Sequence, residues 1–426
     1  MYAAEKGIQE SIVNEKNVNK ISALRYRSNA RLVSLVFALM ICGYPFFSFI
    51  PDLLGLNGRT GSIIFRCLCL CLAFIMLSRQ VLLYKKMNAW LIFGCLFWLL
   101  YFVRVVLEYG SGQINAPMSF FDFFAYAFGI SFVCFLIFPV VRDLDFYRYA
   151  PLYVQLFTLI TCFIATYIVF FIEGTAGGRL FANERLNPIT LGHTGVLLSL
   201  TSIWILLQSG KEKVRITYSL LCFFSIAIGV IALGLSASRS PVIALIVCSF
   251  IMFRGARLNL YHYAALGLGL LIVIFVFDFS KILTDHGAAL SRVFNFSLSV
   301  YDTQEGGRVS LYTEALHQFS ESPVFGQSLF LENGHYPHNV IIDALMSTGI
   351  VGFFILIVLI FVSFWNLYLL SKRYELGKWL FVLYVQAFVG SMTSGAIFYD
   401  PMFWSTLGVG LGLVGRSRLI KVNEVG

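Results

Sequence analysis

The sequence predicts an all-α integral membrane protein of about twelve transmembrane helices, with one large loop between the ninth and tenth. Two observations support this fold class. Only 12% of the 426 residues are charged, about half of the roughly 25% that is usual in soluble domains. The apolar residues also come in long runs, and about 18 or more such residues can cross the hydrocarbon core as a helix. The short alternating segments typical of transmembrane strands are not found in the sequence.

The apolar runs predict twelve spans, at residues 32–50, 62–78, 88–107, 121–141, 150–172, 189–208, 216–235, 241–253, 264–280, 339–370, 379–398 and 402–415. The eighth run is short and the tenth is long, so each needs a bend, a tilt or an extension beyond the bilayer. Together the spans form one transmembrane domain, residues 32–415, between a polar N-terminal tail, 1–31, and a C-terminal tail, 416–426.

The distribution of basic residues predicts the orientation. With twelve spans, both tails lie on one side, and the segments on that side contain 22 of the 31 Lys and Arg residues. Because cytoplasmic loops carry the excess of basic residues, we expect both termini to be cytoplasmic. The net charge of +9 is therefore explained by topology rather than by nucleic-acid binding.

The nine basic residues of the opposite face are almost all arginine: Arg59, Arg66, Arg104, Arg179, Arg185, Arg239, Lys281, Arg292 and Arg308. Arginine stays charged and binds phosphate groups through two parallel hydrogen bonds. This enrichment favours an outer face that binds a phosphate or another anion. The alternative for any single arginine is that it anchors a helix end or pairs with an acid such as Glu184 or Glu108.

The large outer loop, residues 281–338, contains a predicted helix. Apolar residues at positions 309, 312, 315, 316 and 319 follow helical spacing. The segment 322–326, with a proline and a glycine, then predicts a break and a turn. We therefore expect an amphipathic helix that packs over the membrane face of the protein.

Three outer segments contain the candidate functional residues. The first, 177–188, holds two glycines and two arginines, Arg179 and Arg185; the second holds Arg239 between two serines. Placing a charged arginine so near the hydrocarbon costs free energy, so a functional role is the default interpretation of such a residue. The third combines Arg308 with the segment Tyr336-Pro337-His338-Asn339.

His338 is the candidate general base. Pro337 suits a helix start, so His338 would lie near the positive end of the tenth span, where the helix dipole disfavours the protonated ring. A neutral imidazole can accept a proton. A capping or packing role is the alternative for His338, and we assign that role to His317 and His335. His193 lies just inside the sixth span and is a further candidate to face the same site as His338.

No metal site or nucleotide-binding motif is predicted. The sequence contains no set of His, Asp and Glu at metal-ligand spacing, and the Cys67, Cys69 and Cys71 side chains of one helix cannot converge on an ion. No Walker loop, dinucleotide fingerprint or Ser-His-acid order is present. Hydrolase, ATPase and redox classes therefore have no support.

Taken together, these segments resemble the O-antigen ligase and polymerase superfamily, integral-membrane glycosyltransferases of the bacterial cell envelope. His338-Asn339 followed by Gly349 and Gly352 is similar to its motif, and Gly307-Arg308 with the turn at 322–326 resembles the segment upstream of it. Ser238-Arg239-Ser240 resembles the family's arginine after the seventh span. The resemblance covers about residues 175–415.

The resemblance implies a GT-C-like fold and a metal-independent glycosyltransferase that uses no cofactor. The donor would be an undecaprenyl-diphosphate-linked glycan at the periplasmic face of the bacterial inner membrane. Arg239 and Arg308 would bind the diphosphate, and His338 would deprotonate or orient the acceptor hydroxyl. Asn339 would position substrate or hold His338, while Arg179 and Arg185 would admit the diphosphate or bind acceptor sugar.

Two family activities and one activity from another class remain open. A polymerase joins lipid-linked repeat units, and we favour it from the sequence around His338 and the turn at 322–326. A ligase passes the glycan to lipid A-core, and a chain-length regulator is a further candidate partner. A polysaccharide transporter or flippase would have a similar number of spans, but it would favour two related halves and polar groups at mid-bilayer.

Overall fold

A computed structural model describes residues 26–53, 58–83, 88–111, 117–171, 187–209, 216–236, 238–254 and 307–413. The described regular elements are all helical, and no strand occurs within these ranges. The main helices are α1 Tyr26–Phe47, α2 Ile50–Leu53, α3 Gly58–Leu83, α4 Ala89–Gly110, α5 Phe120–Val140, α6 Ala150–Phe171, α7 Pro188–Ser209, α8 Ile216–Leu235, α9 Arg239–Phe253, α10 Arg308–Glu321, α11 Val340–Ser371, α12 Glu375–Ser394 and α13 Pro401–Gly412.

Eight helices of the described part are long and apolar enough to cross a membrane: α1, α3, α4, α5, α6, α7, α8 and α11. They coincide with predicted spans one to seven and ten, so the all-α membrane class is confirmed. Predicted spans eight, eleven and twelve correspond to the shorter or less apolar helices α9, α12 and α13. Predicted span nine, 264–280, lies outside the described residues, and the total of twelve stays a prediction.

Aromatic side chains hold the interior of the bundle together. The ring centroids of Trp98 and Trp404 lie 4.8 Å apart, and Phe97 and Phe135 surround the same pair. Trp379 is fully buried beside Phe37. Because a helix bundle in lipid gains little from the hydrophobic effect between helices, close packing of this kind supplies much of its cohesion. It links the N-terminal helices to α12 and α13, which carry part of the candidate site.

Three helices are interrupted, at positions that the sequence pattern did not specify. Helix α5 contains a π-helical stretch at Ala127–Phe132, and α1 contains one at Leu39–Gly43. Such stretches frequently occur at functional sites. The most pronounced interruption is in α11, where Gly349 has φ 61° and ψ −164° and divides the helix into a short N-terminal and a long C-terminal segment. A bend is one of the three alternatives that the length of the tenth predicted span left open.

Helix α10 confirms the helix that was predicted within residues 281–338, but the buried face differs from the predicted one. Leu311, Ala315 and Gln318 are buried, whereas Val309 and Leu316 are each 45% exposed. The difference arises because α10 packs on the short N-terminal segment of α11, where Leu311 and Ala315 contact Met346. The predicted break after the helix is confirmed by a turn at 322–326, closed by the Gly326 amide, which donates to the Ser322 carbonyl at 2.9 Å.

Candidate active site

A cavity of about 220 Å³ lies among α1, α7, α12 and the start of α13. Its wall includes side chains that can take part in hydrogen bonding or proton transfer, among them His338, His193, Tyr336, Tyr399 and Asp400. Most of the remaining lining is apolar. A mainly apolar pocket with a few convergent polar groups is the usual form of a binding or catalytic site, so this cavity is the candidate active site.

His338 has a left-handed backbone conformation, with φ 57°, and within the described residues no other non-glycine residue has a positive φ. Such a conformation costs about 1–3 kcal/mol for a non-glycine residue and is often found at functional sites. The imidazole is held against the Tyr336 ring, at a centroid distance of 4.2 Å. The strain therefore serves to place the imidazole at the cavity wall, which His338 lines.

Burial lowers the pKa of the His338 imidazole below its ordinary value. The charges of Arg308 and His335 lower the pKa further, while a hydrogen bond to the Ser394 backbone opposes both effects. The predicted direction agrees with this result, although the predicted cause was the dipole of the following helix. A neutral imidazole at physiological pH has a free lone pair and can accept a proton from a hydroxyl group.

Helix α11 begins at Val340, one residue after the predicted start of the tenth span at 339, and Pro337 lies before the helix rather than in its first turn. Asn339 is the N-cap: its side-chain oxygen accepts hydrogen bonds from the amides of Ile341 and Ile342, at 3.0 and 3.2 Å. Its side-chain nitrogen donates to the Met392 carbonyl of α12 at 3.1 Å. Both ends of this amide thus contact protein, an arrangement that fixes the residue next to His338 between α11 and α12.

Arg308 is the first residue of α10 and is half-buried. It lies close enough to His338 for its charge to lower the pKa of that imidazole. The two residues come from opposite ends of the segment 308–338, and the packing of α10 on α11 brings them together. An arginine beside a neutral histidine can bind an anion without protonating the base.

The position of α10 depends on the close packing of two glycines. A β-carbon at Gly349 would lie 2.4 Å from the carbonyl atoms of Val324, and one at Gly326 would lie 2.5 Å from the Ser347 carbonyl carbon. Both glycines have a positive φ. The turn after α10 and the break in α11 therefore contact each other backbone to backbone, joined by the Ile350 amide, which donates to the Pro323 carbonyl at 2.9 Å.

Arg104 of α4 stabilises this junction. Its guanidinium group donates to the carbonyl oxygens of Ser347, Gln327, Phe325 and Gly326. Breaking a helix leaves carbonyl oxygens without their usual partners, and burying them unpaired would cost free energy. For this member of the arginine-rich outer set, the structure supports the helix-anchoring alternative rather than an anion site.

Arg239 begins α9 and is half-buried. The next residue, Ser240, is within hydrogen-bonding distance of His193 Nε2, at 3.0 Å, and also contacts the Thr393 hydroxyl. Thr393 directly precedes Ser394, whose backbone contacts His338. The start of α9 is therefore connected through α12 to the candidate base, and His193 does line the same cavity.

Two predicted site residues, Arg179 and Arg185, lie outside the described residues. The sequence reasoning also missed Asp400, which lines the cavity between α12 and α13. Its carboxylate accepts hydrogen bonds from the Ser391 hydroxyl and the Phe403 amide, while burial raises the pKa of Asp400 to about 6. In a sequence, an Asp before a proline predicts an ordinary helix N-cap. Asp400 is indeed the N-cap of α13, so nothing in the sequence distinguished it as a site residue.

Comparison with known proteins gives one match. Residues 224–357 match a family model described as O-antigen ligase, which confirms the predicted resemblance to the O-antigen ligase and polymerase superfamily. The matched segment contains Arg239, Arg308, His338 and Asn339. No curated protein and no solved structure matches the chain. Within the described residues, no group of three His, Cys, Asp or Glu could hold a metal ion.

Proposed function

We propose that this chain, which matches a family model described as O-antigen ligase at residues 224–357, is a surface-polysaccharide polymerase of the bacterial inner membrane. It would join undecaprenyl-diphosphate-linked repeat units at the periplasmic face. The observation that carries the proposal is His338, a histidine with a lowered pKa held in a strained conformation at a cavity wall beside Arg308. The family match and the apolar helices support the glycosyltransferase class and the membrane location.

In the proposed reaction, a hydroxyl of the acceptor glycan attacks the anomeric carbon of the donor glycan. A new carbon–oxygen bond forms there as the bond to the diphosphate oxygen breaks, and undecaprenyl diphosphate leaves with the bonding electrons. His338 takes the hydroxyl proton and later releases it to water. Base catalysis of this kind contributes about 10²–10⁴ in rate.

The arginines would supply electrostatic stabilisation. Arg308 and Arg239 would bind the diphosphate and stabilise the negative charge that grows on it, which is where fixed positive charge accelerates a reaction most. Arg179 and Arg185 would admit the diphosphate or bind acceptor sugar. Asn339 would hold His338 in place, a role supported by its cap and by its bond to α12. No metal or cofactor is included in this proposal.

The cavity would hold only the reacting ends of the two substrates. Its volume of about 220 Å³ is below the roughly 300–1,000 Å³ of pockets that enclose a whole small ligand. The remainder of each glycan would extend towards the outer aqueous phase, and each lipid chain would lie among the exposed apolar side chains of the bundle.

The second candidate function is ligation of the lipid-linked glycan to lipid A-core. The family model is described as O-antigen ligase, and the donor half of the site would be the same. The two activities differ in the acceptor alone. A transporter or flippase is the third candidate, and it would leave the chemical structure of the glycan unchanged.

The test is reconstitution of the purified chain with an undecaprenyl-diphosphate-linked repeat unit, followed by gel analysis of the glycans. Parallel reactions contain lipid A-core or use the His338→Ala or Arg308→Ala variant, and Arg79→Ala, an exposed arginine at the far end of α3, is the matched control. A ladder of repeats from the donor alone, lost in the first two variants only, supports the polymerase. Product that requires lipid A-core supports the ligase, and no new glycan under either condition contradicts both.

A further inference from the structure

Two buried hydrogen-bond donors lie one turn apart on the outer part of α3. The Ser62 hydroxyl and the Arg66 Nε group are both buried, and neither has a hydrogen-bond partner among the described residues. Side chains four positions apart in a helix lie on the same face. Because buried polar groups are nearly always paired, two adjacent unpaired donors indicate a site that a hydrogen-bond acceptor occupies.

The Arg66 guanidinium is also a buried cation. Its side chain is only 9% exposed, and no ion pair of Arg66 occurs within the described part of the chain. Its Cζ atom lies 3.8 Å from the centre of the Tyr126 ring. This cation–π contact offsets only part of the cost of burying an unpaired cation. An anionic ligand would remove the rest of that cost.

The two donors lie next to the candidate active site. Phe65 and Cys69, on either side of Arg66 along α3, line the cavity. Tyr399 lines it as well, its ring centroid is 5.1 Å from that of Tyr126, and it lies within electrostatic range of Arg66. The Asp400 carboxylate of the same wall accepts hydrogen bonds from the Ser391 hydroxyl and the Phe403 amide, and among the described residues it forms no ion pair with Arg66.

The neighbouring residues of α3 indicate where the anion comes from. Ile63 and Ile64 are 50% and 56% exposed, and Leu68 is exposed as well. In a membrane-spanning helix, exposed residues of this kind contact lipid chains. An anion that reaches Ser62 and Arg66 along this surface would therefore be attached to a lipid.

We propose that Ser62, Arg66 and the Tyr126 ring form a binding site for a lipid-borne phosphate group, separate from the Arg239 and Arg308 pair. A phosphate oxygen accepts hydrogen bonds from both a guanidinium and a hydroxyl group. The inference rests on the proposed function, and it deepens that function because the two substrates of a polymerase both carry undecaprenyl diphosphate. One diphosphate would bind at Arg239 and Arg308, and the acceptor's diphosphate would bind at Arg66.

The test measures binding of undecaprenyl diphosphate, without glycan, to the full chain in nanodiscs of a zwitterionic lipid. Binding is followed by the ligand-dependent rise in unfolding temperature and by direct titration. We expect two classes of site in the wild type. The Arg66→Met variant, which keeps an apolar stem, should lose one class or bind it at least about tenfold more weakly, because a charge-assisted hydrogen bond is lost. Ser62→Ala should show a smaller loss at the same class.

Arg79→Met is the matched control, since Arg79 is an exposed arginine of the same helix, and it should bind as the wild type does. Unchanged binding in Arg66→Met and Ser62→Ala would overturn the proposal. A lower unfolding temperature without ligand, combined with an unchanged ligand-dependent rise, would show a purely structural role and would also overturn it.

A second arm replaces undecaprenyl diphosphate by phosphatidylglycerol. If Arg66→Met weakens the binding of phosphatidylglycerol but not that of undecaprenyl diphosphate, Arg66 does bind a lipid phosphate. The ligand is then a membrane-lipid headgroup, and the proposal that the acceptor's diphosphate binds at Arg66 is wrong. Failure of the proposed function is a separate result: wild-type protein would bind undecaprenyl diphosphate yet form no glycosidic bond.

Discussion

The Gly349→Ala substitution should displace α10 and separate Arg308 from His338. Gly349 has φ 61° and ψ −164°, a region that is essentially restricted to glycine and costs other residues about 1–3 kcal/mol. The new β-carbon would also lie 2.4 Å from the Val324 carbonyl carbon and oxygen. Those are backbone atoms that cannot rotate away, and overpacking of this kind adds typically about 1–3 kcal/mol.

The two effects together amount to about 2–6 kcal/mol, a large fraction of the roughly 5–15 kcal/mol that stabilises a typical protein. We expect a lower unfolding temperature in detergent and a transfer rate at least about tenfold below the wild type, because the turn that follows α10 must move. The matched control is Gly234→Ala on α8, where nothing lies within 4 Å of the new β-carbon. There alanine should be neutral or slightly stabilising. If Gly349→Ala retained the stability and transfer rate of Gly234→Ala, the assigned backbone packing would be wrong.

Three further predictions concern the groups around the candidate base. Arg104→Gln should destabilise the protein by about 3 kcal/mol or more, since it removes several hydrogen bonds from a charged donor; a stability equal to the wild type by denaturant titration would contradict the anchoring role. Asn339→Ala should lose about 1 kcal/mol with the helix cap, whereas Asn339→Asp should keep the cap and lose only the bond to Met392, a difference measurable in the same titration. The Arg308 charge lowers the pKa of His338, so Arg308→Ala should raise that pKa. The acidic limb of the pH–rate profile, measured on the residual activity of the variant, should therefore lie at a higher pH than in the wild type. An unshifted limb would exclude His338 as the titrating base.

The lengths of the apolar runs were sufficient to place most helices. Helices α4, α7, α8 and α11 begin and end close to the predicted boundaries, because each is a long apolar run between polar segments. The interruptions were not predictable in this way. A glycine within an apolar run can continue a helix or break it, and at Gly349 the outcome is decided by a turn more than twenty residues upstream in the chain.

The candidate site was predicted where a residue type is unusual for its location and missed where it is ordinary. Arginines near the outer face and a histidine before a span are unusual, so Arg239, Arg308 and His338 could be selected. Arg104 is just as unusual, but its carbonyl partners lie more than 200 positions away, and its anchoring role depends on that tertiary contact. Asp400 and Ser62 are ordinary residues in sequence, and only their burial and their neighbours distinguish them.

The most direct test of the central claim is the ratio of undecaprenyl diphosphate released to glycosidic bonds formed, measured in proteoliposomes that contain the chain and a labelled lipid-linked repeat unit. The account predicts one undecaprenyl diphosphate released for each new bond, and neither product from a His338→Asn variant that folds normally, since asparagine tolerates the left-handed conformation but is not a base. Glycan that crosses the bilayer with its diphosphate linkage intact, or equal bond formation by His338→Asn, would contradict it.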